Sequence, residues 1–295
     1  MRPFDYYAPA SIGEAVALLA NPTRYARPFA GGTDLLVQLR RGLAEADLLV
    51  DVKRIPELNR VSFDPATGLT VGAAVSCATL CEHPDVQRVY PGLVDAASLI
   101  GGAAIQARAT FGGNLCNGAP SGDSIPAMIV LGATCTVAGP PGTRTVSVES
   151  FCTAPGQTVL RKGEMLVSIH FPVPPPRSGA CYVRFIPRRE MDIAVAGAGA
   201  WVQLSDDRTT IADAHIALAA VAPTPLLAEA AGAALAGQPP TEESFAQAAR
   251  LAQEAARPIS DVRGTQAFRR HLVGVLVRRA LRGAAGRAKG GTSNA

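Results

Sequence analysis

With 295 residues, 48% of them hydrophobic and 18% charged, the chain is long and apolar enough for one large or two medium globular domains. A net charge of +4 and only 5% aromatic residues leave no basic stripe interleaved with aromatic rings, which argues against nucleic-acid binding. No segment has the length and apolarity of a membrane span, and residues 1–7 lack the apolar core of a signal peptide. A cytoplasmic protein without stable membrane insertion is therefore expected.

Ser11-Ile12-Gly13-Glu14 has the spacing of a capping box, and Ile12, Ala15, Val16, Leu18 and Leu19 fall on one face of the helix it would start. Residues 25–30 read as a short strand. It runs into Gly31-Gly32 and a helix over 35–41, stopped by Gly42. Residues 48–52 read as a buried strand. The order helix, strand, glycine turn, helix, strand predicts a compact α/β unit. A strand over 69–73, a helix start near 76–80 and a helix over 92–100 follow. Thr110-Phe111-Gly112-Gly113-Asn114-Leu115 reads as a second glycine loop. Asp123-Ser124-Ile125-Pro126 then has the form of an N-cap with Pro in the first turn of a helix reaching residue 131. Strands are expected over 134–138, 145–148 and 166–171.

The run Val173-Pro174-Pro175-Pro176-Arg177 marks a linker. Beyond it, strands over 180–186, 193–204 and 211–221 and helices over 242–256 and 265–281 predict a small α+β domain with a three-stranded antiparallel sheet. The expected division is residues 1–175, with subdomains 1–55 and 56–175, then 178–285. A tail over 286–295 is expected to be disordered. Arg278, Arg279, Arg282, Arg287 and Lys289 give the end of the chain a cationic, solvated character.

Glycine lacks a Cβ, so backbone N–H groups can approach a ligand closely and form an anion-binding nest. One such loop suits a phosphate; two suit a dinucleotide. Neither segment matches the G-x-G-x-x-G or G-x-x-x-x-G-K-[ST] patterns, so the common nucleotide motifs do not apply. Thr33 and Thr110 can donate to phosphate oxygens, and Asn114 can donate and accept. Asp34 and Asp123 can either cap the helices that follow them or accept from a ligand hydroxyl. Cys77, Cys81, Cys116, Cys135, Cys152 and Cys181 include no C-x-x-C pair, and His83, His170, His215 and His271 are scattered. No metal site and no catalytic side chain is assigned. Cys116 is near the ligand by position only.

Taken together, Ala30-Gly31-Gly32-Thr33-Asp34-Leu35 and Thr110-Phe111-Gly112-Gly113-Asn114-Leu115 with Pro120 and Asp123 resemble the FAD-binding signatures of the medium subunit of the molybdenum hydroxylase family. That family includes the aerobic carbon monoxide dehydrogenase and xanthine dehydrogenase types. Ile100-Gly101-Gly102-Ala103-Ala104-Ile105 and the segment from Arg184 to Ala194 extend the likeness over nearly the whole chain. The resemblance implies an FAD-binding domain of the vanillyl-alcohol-oxidase type, with Phe29, Ala30, Gly31, Gly32, Thr33, Asp34, Leu35, Thr110, Gly112, Gly113, Asn114 and Asp123 around the cofactor. It further implies Ile100 near the isoalloxazine and Leu166 along the ring. Arg184 is expected at the pyrimidine edge or, failing that, in a surface salt bridge. Gln106 and Ala107 stand where many family members carry Arg-Asn. The implied function is electron transfer. FAD would receive electrons from a small subunit with two [2Fe–2S] clusters, which serves a large molybdenum-cofactor subunit, and would pass them to a final acceptor. A dimer of heterotrimers is the implied assembly. A stand-alone FAD oxidoreductase, including the UDP-N-acetylenolpyruvoylglucosamine reductase type, and a non-catalytic assembly protein are the alternatives.

Overall fold

The computed structural model describes residues 2–290. Its first unit is a three-stranded parallel sheet of β1 (Asp5–Tyr7), β2 (Ala26–Phe29) and β3 (Leu48–Asp51), ordered β1-β3-β2. Helices α1 (Ile12–Ala20) and α2 (Leu35–Arg40) connect the strands. All four residues of β3 are buried, as the central strand of a parallel sheet requires. All three of β1 are exposed, so it carries no apolar pattern; only its pairing with β3 makes it a strand. The capping box at α1 is half formed. Ser11 Oγ accepts from Glu14 N at 3.3 Å, but the Glu14 carboxylate accepts from Ala10 N and the Tyr7 hydroxyl instead of Ser11 N.

Two 3-10 turns, Val52–Arg54 and Pro56–Asn59, lead into the second unit. This is an antiparallel sheet of β4 (Val61–Asp64), β5 (Gly68–Gly72), β6 (Thr134–Gly139), β7 (Gly142–Ser147) and β10 (Met165–Phe171), in the order β4-β5-β10-β6-β7. Between β5 and β6 lie short helices: α3 (Cys77–Glu82), α4 (Pro84–Val89), α5 (Pro91–Ser98), α6 (Ala103–Gln106), α7 (Phe111–Asn117) and α8 (Ser124–Val130). A small hairpin, β8 (Cys152–Ala154) and β9 (Gln157–Thr158), precedes β10.

The third unit holds β11 (Ser178–Phe185), β12 (Ala196–Leu204), β13 (Ile211–Ala219) and β14 (Leu226–Leu227), then α9 (Glu229–Ala233), α10 (Glu242–Ala255) and α11 (Gln266–Ala288). The fold is thus α+β, but the last sheet has four antiparallel strands instead of the expected three. The fourth, β14, is two residues long and too short for alternation to reveal.

Both faces of this sheet are covered. Cys181, Ala198, Ala200 and Ile216 pack with Val273, Leu276 and Val277 of α11, while Ala180, Tyr182, Trp201 and Ala217 join the core of the second unit. That explains the small residues of β12. A Cβ on Gly199 would lie 3.0 Å from the Pro126 carbonyl, so only glycine lets α8 sit this close. On the opposite face, a Cβ on Gly179 would lie 2.7 Å from Ala288 N.

The cationic end of the chain is not a frayed tail. Arg278 and Arg282 pair with Glu242, and Arg287 of α11 reaches Asp95 of α5 through contacts of 2.6 and 2.8 Å. Of the expected tail, residues 286–288 are helical, 289–290 form a turn, and 291–295 lie outside the described residues. Among the described residues no helix is long and apolar enough to cross a membrane.

Candidate functional site

The first glycine segment is the expected strand-to-helix turn. Gly32 has φ +75°, a left-handed conformation that favours glycine, and a Cβ there would lie 2.8 Å from the Phe29 ring. The turn is buttressed from below. Lys53 Nζ donates to Ala30 O at 3.0 Å and to Asp51 Oδ1 at 2.7 Å, and stands 4.2 Å over the Phe29 ring. The Tyr6 hydroxyl donates to the other Asp51 oxygen. The N–H groups of Gly31, Gly32, Thr33 and Asp34 have no acceptor among the described residues. Asp34 does not cap α2, is exposed, and has its pKa raised by the protein around it. Phe29 and Leu35 instead fill a small core beneath α2 with Leu39 and Leu49.

The second glycine segment corrects the sequence reading. It is not a loop but the first turn of α7. Thr110 is its N-cap, and the Thr110 Oγ1 accepts from Gly113 N at 2.8 Å. This uses an oxygen lone pair and leaves the hydroxyl proton available for donation. The two glycines do different things. Gly112 is buried, and a Cβ on it would lie 2.7 Å from the Ala73 Cβ, so it serves helix–sheet packing. Gly113 is exposed, with Thr110 Oγ1 as its sole close neighbour. The Asn114 Oδ1 accepts from the Ser124 hydroxyl at 2.7 Å, which fixes the amide and commits its oxygen.

The two segments meet. A Cβ on Gly31 would lie 2.7 Å from the Arg108 carbonyl carbon, two residues before Thr110. Gln38 of α2 donates to Asn117 of α7 at 2.8 Å. The unpartnered N–H groups of residues 31–34 are thus brought close to the N-terminal turn of α7, where Thr110 keeps a hydroxyl proton to donate. Such a cradle suits the two phosphates of a dinucleotide.

Asp123 and Arg184 form a second cluster. Asp123 does not cap α8. Its Oδ1 accepts from the Tyr182 hydroxyl at 2.7 Å, and its Oδ2 pairs with Arg184 Nη1. The pair is buried, with side-chain exposures of 4% for Arg184 and 10% for Asp123, so the surface salt bridge expected as the alternative for Arg184 is an interior one. Burial raises the Asp123 pKa, opposed by Arg184 and Tyr182; burial and then Asp123 raise that of Tyr182 well above its usual value. Arg184 Nε has no partner among the described residues. Ile100 is half-buried in the turn before α6, and Leu166 is buried at the bulge of β10; both pack on the core of the second unit. The Cys116 thiol is pushed up to about 12 by burial and is inert at neutral pH.

Sequence reasoning missed Lys53, Asp51 and Tyr6. Asp51 and Tyr6 are 45 residues apart, and an acid closing a buried strand, followed by a lysine two positions on, was the sole local signal.

An α+β fold in which a strand-to-helix glycine turn meets a glycine-bearing helix start is compatible with a dinucleotide-binding protein. Comparison with known families makes the class specific. Residues 2–174 match the FAD binding domain in molybdopterin dehydrogenase, and residues 181–284 match the CO dehydrogenase flavoprotein C-terminal domain. The chain belongs to this family of FAD-binding oxidoreductase subunits. It is 35% identical to the carbon monoxide dehydrogenase medium chain of Afipia carboxidovorans, over 97% of this chain and 98% of that one. It is 31% identical to the xanthine dehydrogenase FAD-binding subunit of Escherichia coli, over 94% of each. Among solved structures, reconstituted CO dehydrogenase from Oligotropha carboxidovorans superposes with a TM-score of 0.92 at 33% identity, over 97% of this chain and 99% of the other. Quinoline 2-oxidoreductase from Pseudomonas putida 86 superposes with a TM-score of 0.90 at 31% identity, over 97% and 98%.

Proposed function

We propose that this chain is the electron-transfer flavin subunit of a molybdenum-containing dehydrogenase. In this reading it collects electrons from [2Fe–2S] clusters of a small partner subunit, which is fed by a large molybdenum subunit, and passes them to a final acceptor. The observation that supports it is the contact of Gly31 with the Arg108 carbonyl, two residues before Thr110, together with the unpartnered N–H groups of 31–34. FAD, when bound, joins one-electron delivery to two-electron release.

The chain's own residues bind and orient. Gly31, Gly32, Thr33 and Asp34 offer N–H groups to one side of the pyrophosphate; Thr110 and Asn114 offer a hydroxyl and an amide to the other, beside the bare Gly113. Phe29, Ala30, Leu35 and Gly112 act indirectly, by packing the two turns. Ile100 and Leu166 are assigned to the ring end, where they exclude water. Arg184, held by Asp123, supplies a fixed cation there with one N–H to spare. This is the arrangement of a vanillyl-alcohol-oxidase type domain over residues 1–175, completed by a C-terminal domain over 178–285. The assembly is a cytoplasmic dimer of heterotrimers.

The test is the visible spectrum of the purified full chain and the cofactor that acid releases. About one FAD per chain, with no substrate oxidation by the chain alone, is the expected result. A chain that stays colourless after incubation with FAD would refute the reading.

A further inference from the structure

Beneath the first glycine turn, Lys53 carries a charge with no donor left for a ligand. An ammonium has three N–H donors and no acceptor. Lys53 Nζ commits one to Ala30 O at 3.0 Å and one to Asp51 Oδ1 at 2.7 Å, and it lies 4.2 Å from the centre of the Phe29 ring. Its anchor is fixed as well. Asp51 is 5% exposed. Asp51 Oδ1 also accepts from Lys53 N at 2.9 Å, and Oδ2 accepts from the Tyr6 hydroxyl. Burial disfavours the Asp51 charge, but the bonds from Lys53 and Tyr6 outweigh it and hold the carboxyl below its ordinary value. Asp51 and Lys53 are therefore both ionised at neutral pH. The Phe29 ring in turn lies against Gly32, where a Cβ would overlap it.

The Ala30–Gly31 peptide carries this charge outward. A trans peptide is planar, with its C=O and N–H on opposite sides. The carbonyl that meets Lys53 therefore sends the Gly31 N–H away from it. That N–H has no acceptor among the described residues. A hydrogen bond from a cation to a carbonyl is about twice as strong as a neutral one. It polarises the whole amide, so the N–H across the peptide becomes a stronger donor. The same ammonium also holds the path of the turn, through the Ala30 carbonyl and the Phe29 ring. Its place in the sheet agrees. Phe29 and Asp51 end β2 and β3, and ligands of open α/β sheets bind outside the carboxyl ends of the strands.

We propose that Lys53 is a positioning residue for the cofactor. Held by Asp51 and Tyr6, its ammonium acts through the Ala30–Gly31 peptide and strengthens the Gly31 N–H as a donor to the FAD pyrophosphate, without touching it. The proposal rests on the flavin-subunit reading. It adds a source of positive charge for the first turn, in three residues that support the cradle from outside it.

The experiment uses the full chain stripped of FAD and titrated with FAD by fluorescence quenching. Lys53→Met removes the charge and keeps the length; Lys53→Arg keeps the charge. Lys53→Met should raise the Kd for FAD about tenfold, the worth of one charge-assisted bond. Lys53→Arg should stay within about threefold of wild type, the difference reflecting its planar head. The signature is the Gly31 amide nitrogen in the NMR spectrum of the apo-chain. A cation on the preceding carbonyl shifts it downfield, so it should move upfield in Lys53→Met and return with Lys53→Arg, while Gly113 stays put. Tyr6→Phe leaves Asp51 leaning on Lys53 alone, so Kd and resonance should move the same way by less. That variant decides where Lys53→Met does not fold: wild-type values for both then overturn the proposal. An unchanged Kd in folded Lys53→Met, beside tight wild-type binding, overturns it and leaves the flavin reading intact. Equal weakening by Lys53→Met and Lys53→Arg with a fixed Gly31 resonance also overturns it, because Lys53 then only packs beneath Phe29. Wild type that binds no FAD overturns the flavin reading, and this proposal with it.

Discussion

Gly31 is where the two glycine segments touch, and Gly31→Ala tests whether that contact builds the cofactor site. Gly31 is not in the left-handed region, so alanine acts there through bulk alone. The new Cβ would lie 2.7 Å from the Arg108 carbonyl carbon and 3.1 Å from the Ala109 Cα, where ordinary contact begins at 3.4 Å. Both neighbours are backbone, and Ala109 O is tied to Cys77 N at 2.8 Å, so neither can swing aside as a flexible side chain would. The Arg108 carbonyl oxygen is nearer still, so the segments must separate by more than about 1 Å. Overpacking of this kind costs about 1–3 kcal/mol. Expressed in the cofactor complex, that is a rise of about 5- to 150-fold in the Kd for FAD. Apo-protein is titrated with FAD by fluorescence quenching, and its melting temperature is recorded alongside. Gly113→Ala, whose Cβ meets the Thr110 hydroxyl alone, serves as the milder comparison. An unchanged Kd with a lowered apo melting temperature would mean that the contact is packing only, and the cradle assignment would be refuted.

Asp95→Ala should destabilise the chain by about 3–5 kcal/mol in urea unfolding, because it strands the largely buried Arg287 guanidinium without its counterion; a loss below about 1 kcal/mol would contradict the buried pair. Tyr182→Phe should cost about 1.5–3 kcal/mol by removing a donor from the buried Asp123 carboxylate, read by the same method. Arg144 holds the Glu164 carboxyl at about 2, below its ordinary 4.5. A lowered folded-state pKa adds stability above pH 4.5 that fades as the pH falls towards 2, so Arg144→Met should flatten the stability–pH curve across that window. Gly13→Ala should stabilise α1 by about 0.5–1 kcal/mol in thermal melts, since the residue is exposed and its Cβ would meet nothing within 4 Å.

The first glycine turn was legible because strand, glycine pair and helix follow one another locally, and each has its own signal. The second misled because a glycine pair reads as a helix breaker. Here Gly112 and Gly113 sit in the first turn, where packing on Ala73 and the Thr110 cap outweigh propensity. The cap itself was hidden: a capping box calls for Glu or Gln three residues after the threonine, and this one has Gly113. Asp123 looked like an N-cap by sequence, but Tyr182 and Arg184, about sixty residues later, claim its carboxylate. Helix α11 outran its expected end at 281 because Ala284, Ala285 and Ala288 pack on the terminal sheet, a tertiary gain that Gly283 and Gly286 conceal.

The ion pair between α5 and α11 ties together residues 192 positions apart. During synthesis Asp95 has no counterion until almost the whole chain has left the ribosome, and Asp123 waits for Arg184 in the same way. The glycine turns emerge early, but these ion pairs between the second and third units close last. Closure of the third unit onto the second is therefore a late event in the life of the polypeptide. A chain ended short of residue 287 leaves Asp95 without its counterion, although every glycine of the two segments is already present.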